Sequence, residues 1–311
     1  MTRSFRLTWP GAGALALLLA ACGGGGSDAG VQPPAVTLAS TTSVKYSETM
    51  LVTLSGVRLD QALTLTSTGC RDFVRSTTAP NVSTASTAYY TCTVSGAGNR
   101  TVEVSGAGVA LASVPFTVPV PQVSMVVGNG AGVAGTLVFT LAPDAAPRTV
   151  DNFLAYVKSG FYNGLAFHRH ARFDNGSTFV LQGGGHTAPV SSAAAFPPEK
   201  PASAAIPLEV GRGLSNLRYT LAMARLNTPD SATSQFFINT VNNAAILDPS
   251  VNSAGYAVFG SVTGNTALVD LMVAAPCNLS PVNFDLDPRL LPSQDCVPEP
   301  NLIISGALQT R

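Results

Sequence analysis

The chain has 311 residues, of which 46% are hydrophobic and only 11% charged. This composition supplies packed cores and excludes a wholly disordered chain. Lys and Arg together number 17, as do Asp and Glu, so the formal net charge is zero. The basic excess that nucleic-acid binding usually shows is missing, and we expect no nucleic-acid partner. The length favours about two domains.

The N-terminus is typical of a secretory signal. Two arginines precede an apolar run at 12–21 that is too short to span a bilayer. The run ends in Leu19-Ala20-Ala21-Cys22, which resembles the lipobox of bacterial lipoproteins, where the signal is cut before an acylated cysteine. We predict a signal peptide over 1–22, a lipid anchor to a membrane at Cys22, and a flexible tether over 23–34. An ordinary signal with a cysteine there by chance is the alternative.

The residue after the lipobox cysteine is Gly23 and not Asp. By resemblance to lipoprotein sorting in enterobacteria, this residue favours the outer membrane. We therefore expect a location in the cell envelope, on the outer membrane and facing the periplasm.

Four further cysteines form an even set in a chain bound for an oxidising compartment, which favours disulfides over free thiols. Four cysteines allow three pairings. Pairing between sequence neighbours keeps each bridge inside one domain, and we favour Cys70–Cys92 and Cys277–Cys296. Each bridge closes a loop of about 20 residues and stabilises the fold by roughly 3 kcal/mol.

Residues 35–120 read as an all-β sandwich. Short runs rich in Val, Thr, Leu and Tyr alternate with Gly, Ser and Asn clusters, as at 50–54, 62–66 and 89–94. The segment resembles immunoglobulin-like domains in pattern only, since it has no Trp between its cysteines. We interpret it as a spacer or binding module. The prolines at 115–121 mark the predicted boundary with a second domain over 121–311.

The second domain opens with strand and helix patterns. Residues 135–141 are typical of a strand, and a helix is predicted to begin at Ala146-Pro147. Its apolar residues recur at spacings of three and four, which gives one buried face, and Gly160 ends it. The pattern over 278–300 predicts an irregular stretch, and Leu302-Ile303-Ile304 is predicted to form the last strand.

Four motifs occur in order in this domain. They are Thr149-Val150-Asp151-Asn152-Phe153 leading to Phe167-His168-Arg169; Phe179-Val180-Leu181-Gln182-Gly183-Gly184-Gly185; Leu221-Ala222-Met223-Ala224-Arg225 leading to Ser234-Gln235-Phe236-Phe237-Ile238-Asn239; and Gly255-Tyr256-Ala257-Val258-Phe259-Gly260. Together they resemble the bacterial branch of the cyclophilins. The resemblance covers nearly all of 121–311.

The resemblance implies a mainly β protein, with the N-terminal sandwich followed by a closed eight-stranded antiparallel barrel capped by two helices. It implies peptidyl-prolyl cis-trans isomerase activity on proline-containing segments of exported proteins, assisting their folding, without metal or organic cofactor. We expect a monomer. The alternative function is a non-catalytic peptide-binding or adhesion lipoprotein that uses the barrel as a binding module.

The resemblance also assigns site residues. Arg169 matches the catalytic arginine, and Gln182 is its catalytic partner. The substrate groove is assigned to Phe179, Val180, Ala224, Arg225, Gln235, Phe237, Leu247 and Tyr256. His168, His170 and His186 lie close together in the sequence, but the family carries the first of these without a metal, so no metal site is expected.

The sequence departs from the family pattern near the site. Nine residues, 170–178, separate Arg169 from Phe179 where the family usually has four, and they predict a longer loop beside the arginine. Ile246 stands where some eukaryotic cyclophilins carry a Trp that is important for cyclosporin binding. We therefore expect weak cyclosporin sensitivity.

Overall fold

The first part of the chain forms seven antiparallel strands in two sheets. A computed structural model describes residues 32–191, 197–251, 253–279 and 295–311. The predicted signal, Cys22 and most of the tether lie outside these residues. The seven strands are β1 (Ala35–Thr41), β2 (Thr49–Val57), β3 (Leu63–Ser67), β4 (Cys70–Arg75), β5 (Thr87–Val94), β6 (Gly98–Gly106) and β7 (Val109–Val118).

The two sheets have the strand orders β1-β2-β5-β4 and β3-β6-β7. Side chains alternate between buried and more exposed along β5, as the period of a half-buried strand requires. Pro115, expected in a boundary segment, instead lies inside β7. Because β7 is an edge strand, the missing N–H of this proline is tolerated.

The predicted bridge Cys70–Cys92 is present, with an S–S distance of 1.97 Å. It joins β4 to β5, which are neighbours in one sheet. Cys92 points inward, as the alternation predicts, and is 2% exposed. The bridge of true immunoglobulin domains joins two different sheets. This chain therefore departs from that pattern, and the immunoglobulin-like assignment stays a prediction.

In the part of the chain that the structure describes beyond residue 121, there are eleven further strands and three α-helices. The helices are α1 (Pro147–Lys158), α2 (Ala244–Leu247) and α3 (Thr266–Ala274). The strands are β8 (Gln122–Gly128), β9 (Ala134–Leu141), β10 (Ala166–Phe167), β11 (Arg169–Arg172), β12 (Thr178–Gly183), β13 (Thr220–Met223), β14 (Phe236–Asn239), β15 (Val258–Gly264), β16 (Cys277–Leu279), β17 (Cys296–Pro298) and β18 (Leu302–Gln309).

These strands form one curled antiparallel sheet, in the order β10-β18-β8-β9-β15-β13-β14-β12-β11-β17-β16. Only His168 separates β10 from β11 in the chain. Strand β10 pairs with β18, whereas β11 pairs with β12. The sheet therefore contains an eight-strand path, made of the β10–β11 segment and the strands β18, β8, β9, β15, β13, β14 and β12. The two ends of this path meet at the β10–β11 segment. The mainly β fold is as predicted, and the strands β16 and β17 are additions to that path.

Helix α1 covers the curled sheet with the apolar face that its sequence predicts. Val150, Phe153 and Leu154 are fully buried in the inner core. The side chain of Ala146 cannot cap the first turn, and the buried Glu209 carboxylate instead accepts the Thr149 N–H at 2.8 Å. The helix ends before Gly160, whose φ of +67° suits a glycine after a helix.

Residues from Pro34 onward form one compact unit, and polar contacts join its two parts. Arg71 pairs with Asp151 of α1 at 3.0 Å, and Arg100 pairs with Asp144 at 2.9 Å. The Gln309 side chain donates to the Tyr46 carbonyl at 3.0 Å. The predicted boundary between residues 120 and 121 falls in the gap between β7 and β8.

The predicted bridge Cys277–Cys296 is also present, with an S–S distance of 2.08 Å. The stretch expected to be irregular in fact begins and ends with paired strands, since β16 pairs with β17 in antiparallel register. Strands of three residues carry no recognisable period, which is why the sequence pattern missed them. Among the described residues, no helix has both the length and the apolar character needed to cross a bilayer.

Candidate active site

A row of paired residues crosses five strands and places the predicted site on the outer face of the curled sheet. Arg169 pairs with Gln182, and Gln182 pairs with Phe237. Phe237 pairs with Ala222, which pairs with Val258. Residues opposite one another in an antiparallel sheet share a face. The structure therefore brings the arginine, the glutamine and the phenylalanine together on one face.

The neighbouring row faces the opposite way. Leu181, Ile238 and Leu221 are paired in register and fully buried in the inner core beneath α1. Because side chains alternate along each strand, this inner row fixes its neighbours on the outside. The sheet core thus holds the site residues on rigid backbone.

A second apolar cluster covers the outer face, and we name it the outer cluster. All seven of its core residues are under 7% exposed, which is low for side chains outside the main core. The rings of Phe237 and Tyr256 meet edge to face, with centroids 5.6 Å apart. The outer cluster consists of Ala171, Phe179, Val180, Ala222, Phe237, Leu247 and Val258, with Phe173, Ala224 and Tyr256 packed against them.

The Arg169 guanidinium lies beside this cluster and is held at two of its nitrogens. Its Nη1 donates to Gln182 Oε1 at 3.0 Å. Its Nε donates to Asp295 Oδ2 at 2.8 Å, in an ion pair whose side chains are 10% and 8% exposed. A planar group bonded at two nitrogens has a fixed orientation as well as a fixed place. The longer segment at 170–178 does not displace Arg169 from Gln182.

The two predicted glutamines form a chain of hydrogen bonds. Gln182 Nε2 donates to Gln235 Oε1 at 2.8 Å, so Gln182 links Gln235 to Arg169. The backbone N–H of Ala224 donates to the Gln235 carbonyl at 3.0 Å. Each glutamine amide is therefore oriented by its neighbour, which fixes the oxygen that faces the arginine.

Arg225 stands at the other end of the outer cluster. Its guanidinium lies 4.5 Å from the centre of the Tyr256 ring, in a cation–π contact. Its Nε donates to the Gly255 carbonyl at 2.9 Å. The side chain thus braces the segment before β15 that carries Tyr256. Six of the eight predicted substrate-binding residues belong to the outer cluster or pack against it. The other two contact its neighbours, since Arg225 lies over Tyr256 and Gln235 bonds Gln182.

Two buried histidines flank Arg169. Burial, the neighbouring His186 ring and the Arg169 charge lower the pKa of His168 to about 3. Burial and the Arg172 charge lower the pKa of His170 to about 4. A second positive charge beside the guanidinium is unfavourable, so both rings are neutral at pH 7. The local positive charge is therefore that of the arginines.

Comparisons with known proteins agree with this geometry. The family described as cyclophilin type peptidyl-prolyl cis-trans isomerase/CLD matches residues 123–284. A peptidyl-prolyl cis-trans isomerase of Streptomyces antibioticus is 47% identical over 139 residues, which is 44% of this chain and 76% of the relative. Peptidyl-prolyl cis-trans isomerase B of Escherichia coli is 38% identical over 53% of this chain and 92% of the relative. The chain belongs to the cyclophilin family.

One solved cyclophilin-type isomerase, from Cryptosporidium parvum, is 20% identical to this cyclophilin. The alignment covers 61% of this chain and 98% of that one, with a TM-score of 0.41. The family assignment rests on the sequence matches and not on this value.

Sequence reasoning missed Asp295, which binds the central arginine of this cyclophilin. Its separation from Arg169 is 126 residues, and it lies in a stretch without periodicity. The one available signal was its position next to Cys296, a cysteine already assigned to a bridge. Phe173 was also missed, although its ring packs on Phe179 with centroids 4.8 Å apart.

Potential metal ligands of the cyclophilin gather at one place in the described part of the chain. His170 lies with the sulfur atoms of Cys277 and Cys296, all within 4.8 Å of one another. The two sulfurs are joined in the disulfide, and a bridged sulfur is not the thiolate that binds metals. His168 and His186 are instead in ring contact, with centroids 4.6 Å apart.

Proposed function

We propose that this cyclophilin accelerates cis–trans isomerisation of X–Pro bonds in exported proteins, with Arg169 as the catalytic residue and the outer cluster as the proline pocket. The observation that carries the proposal is the Arg169–Gln182 hydrogen bond of 3.0 Å on the face that also carries Phe179 and Phe237. A binding module without catalysis would not require this oriented guanidinium. The alternative adhesion function is therefore not favoured.

The reaction needs stabilisation of a twisted amide and no covalent chemistry. Rotation about the C–N bond faces a barrier of about 18–20 kcal/mol, because the planar amide has partial double-bond character. When the bond twists, the prolyl nitrogen loses its conjugation and gains a lone pair. A group that binds this lone pair, and not the planar amide, lowers the barrier. Uncatalysed isomerisation takes tens to hundreds of seconds, which makes it a slow step in folding.

Arg169 suits this task because its guanidinium is always charged and presents rigid N–H donors. Its hydrogen bonds to Gln182 and Asp295 orient those donors before substrate arrives. Donors that need no reorganisation during the reaction are worth most to the transition state. The Arg169 guanidinium would donate to the prolyl nitrogen as the bond twists.

The outer cluster would hold the proline ring. Phe179, Phe237 and Leu247 present buried apolar surface around the site. Burying the ring there gives binding energy that does not depend on the twist of the amide, and the arginine adds the part that is specific to the twisted state. Gln235 and the backbone at Arg225 would bond the peptide on either side of the proline.

We further propose that the chain is a monomer anchored by acyl chains on Cys22 in the bacterial outer membrane, facing the periplasm. The support is the lipobox-like sequence and Gly23 after the cysteine. Two native disulfides agree with an oxidising compartment. Labelling with radioactive palmitate should mark the wild-type chain and not Cys22→Ser, and labelling of both or neither would contradict the anchor.

A protease-coupled assay with a proline peptide tests the isomerase function. The wild-type chain should accelerate the cis-to-trans step, and Arg169→Ala should reduce kcat/KM by roughly 100-fold or more. Arg218→Ala is the matched control, because Arg218 also pairs with an aspartate, Asp270, but lies away from the outer cluster. Equal activity of wild type and Arg169→Ala, with both folded, would reject the proposal.

A further inference from the structure

We propose that Asp295 is a positioning residue for Arg169, and that the Cys277–Cys296 disulfide holds Asp295 in place. This inference rests on the proposed isomerase function. It concerns a part of the chain outside the eight-strand path, namely the paired strands β16 and β17. Asp295, the residue before β17, gives the catalytic guanidinium an acceptor in addition to Gln182.

The Arg169 guanidinium is oriented by acceptors at two of its nitrogens. Gln182 Oε1 accepts from Nη1 at 3.0 Å, and Asp295 Oδ2 accepts from Nε at 2.8 Å. With one hydrogen bond alone, the planar group is free to swing about that bond. A second acceptor at a different nitrogen fixes its plane. Asp295 therefore sets the direction in which Arg169 presents its donors.

The charges of Arg169 and Asp295 form a nearly buried ion pair. Both side chains are nearly buried, at 10% and 8% exposure, so their attraction is only weakly screened by solvent. The lone pair on a twisted prolyl nitrogen belongs to a neutral group, for which the direction of a donor matters more than the net charge around it. The Asp295 carboxylate can therefore pair with the guanidinium while Arg169 still donates a hydrogen bond to the prolyl nitrogen.

Asp295 is held in place by the strand pairing and the disulfide of the next residue. Cys296, the next residue, pairs in register with His170, the residue after Arg169. Cys296 is also bridged to Cys277, and β16 and β17 pair over three residues each. Strands this short contribute few hydrogen bonds of their own. The disulfide, which spans 19 residues of sequence, favours their pairing because it removes conformational freedom from the unfolded chain.

The experiment measures kcat and KM of the full chain on a proline peptide for Asp295→Ala and Asp295→Asn. In Asp295→Ala, we expect kcat to fall roughly 10- to 100-fold while KM changes less than about twofold, because the proline pocket is untouched. Asp295→Asn keeps an oxygen that accepts from Nε, and it should stay within about threefold of wild type. Asp270→Asn, at the exposed ion pair with Arg218, is the matched control and should match wild type.

A spectroscopic readout separates positioning from general damage to the fold. In ¹⁵N spectra, the Arg169 Nε–H should be protected from exchange in wild type and in Asp295→Asn, and it should exchange fast in Asp295→Ala. The double variant Cys277→Ala/Cys296→Ala should show the same loss of kcat and of Nε–H protection as Asp295→Ala. Near-UV circular dichroism identifies any variant that has not folded. If Asp295→Ala has not folded, the bridge variant Cys277→Ala/Cys296→Ala decides through its kcat and its Nε–H protection, and wild-type values of both would reject the inference.

Three results would overturn the inference. They are an unchanged kcat in folded Asp295→Ala, a loss in Asp295→Asn as large as in Asp295→Ala, and an unprotected Nε–H in wild type. An active wild type with an unaffected Asp295→Ala would reject the role of Asp295 and leave the isomerase function standing. A wild-type chain without activity would overturn the proposed function, and this inference with it.

Discussion

Lowering the pH from 7 to 5 should destabilise this cyclophilin through two buried histidines. The pKa of His168 is about 3 and that of His170 is about 4 in the folded chain, against about 6.5 when unfolded. At pH values between the folded and the unfolded pKa of each histidine, the unfolded state binds a proton that the folded state does not. Stability is therefore fully present above pH 6.5 and is lost as the pH falls toward the folded pKa values.

The size of this loss in stability follows from the pKa of a histidine in the unfolded chain. At pH 5, an unfolded histidine gains about 1.5 pH units of protonation free energy, which is about 2 kcal/mol, and the folded rings gain almost none. The two histidines together should lower the free energy of unfolding by about 4 kcal/mol between pH 7 and pH 5. This is a large share of the 5–15 kcal/mol typical of a folded domain.

Urea unfolding followed by far-UV circular dichroism at both pH values measures this loss. His170→Asn is the informative variant, because it removes one of the two groups and should halve the loss to about 2 kcal/mol. The contribution of the carboxylates is common to both proteins and cancels in the difference. Equal stability of the wild type at pH 7 and pH 5, or an undiminished loss in His170→Asn, would refute the reasoning.

Three further predictions concern the outer cluster and the first bridge. Phe237→Ala removes a ring that is 4% exposed, and we expect a stability loss of about 3–5 kcal/mol by urea unfolding and a KM raised about tenfold. Cys70→Ala/Cys92→Ala should lose about 3 kcal/mol of stability with kcat unchanged, because its bridge lies in the first sheet. The wild type should bind cyclosporin weakly, and Ile246→Trp should tighten binding about tenfold by adding an aromatic contact worth ~1.4 kcal/mol.

Each of these predictions has a contrary result. An unchanged KM in Phe237→Ala would remove that ring from the proline pocket. A fall in kcat in folded Cys70→Ala/Cys92→Ala would show that the first part of the chain acts on the site. Nanomolar inhibition of the wild type by cyclosporin would contradict the effect assigned to Ile246, which is 37% exposed at the end of the cluster.

Much of the fold could be predicted because its signals are local. The apolar residues of α1, such as Phe153 and Leu154, recur at helical spacing, and alternation along β5 placed Cys92 inside. Both bridges join cysteines about 20 residues apart, and short loops favour such pairings. These patterns depend on near neighbours in the chain, which a sequence displays directly.

The central part of the site could be predicted for another reason. Arg169, Gln182 and Phe237 lie on neighbouring strands at matching register, so that motifs separated in sequence meet on one face. Resemblance to a family carries this pairing, because the register is a property of the family's sheet. Spacing alone would not have distinguished Phe237 from a residue of the ordinary core.

The contact of Asp295 with Arg169 could not be predicted from either kind of signal. Asp295 directly precedes β17, one of a pair of three-residue strands outside the family's eight-strand path, and strands so short show no periodicity. Its contact depends on β17 pairing with β11 at a single position, His170 with Cys296. Long-range contacts of this kind follow from how the whole chain packs, which no local pattern records.

The central claim is that an oriented guanidinium at Arg169 stabilises the twisted amide. Exchange NMR of a proline peptide with the wild-type chain and with Arg169→Lys tests it most directly, because the lysine keeps the charge and lacks the planar fork. The account predicts fast cis–trans exchange with the wild type, and exchange slowed roughly 100-fold in the variant at unchanged peptide affinity. Equal exchange rates with the two proteins would contradict it.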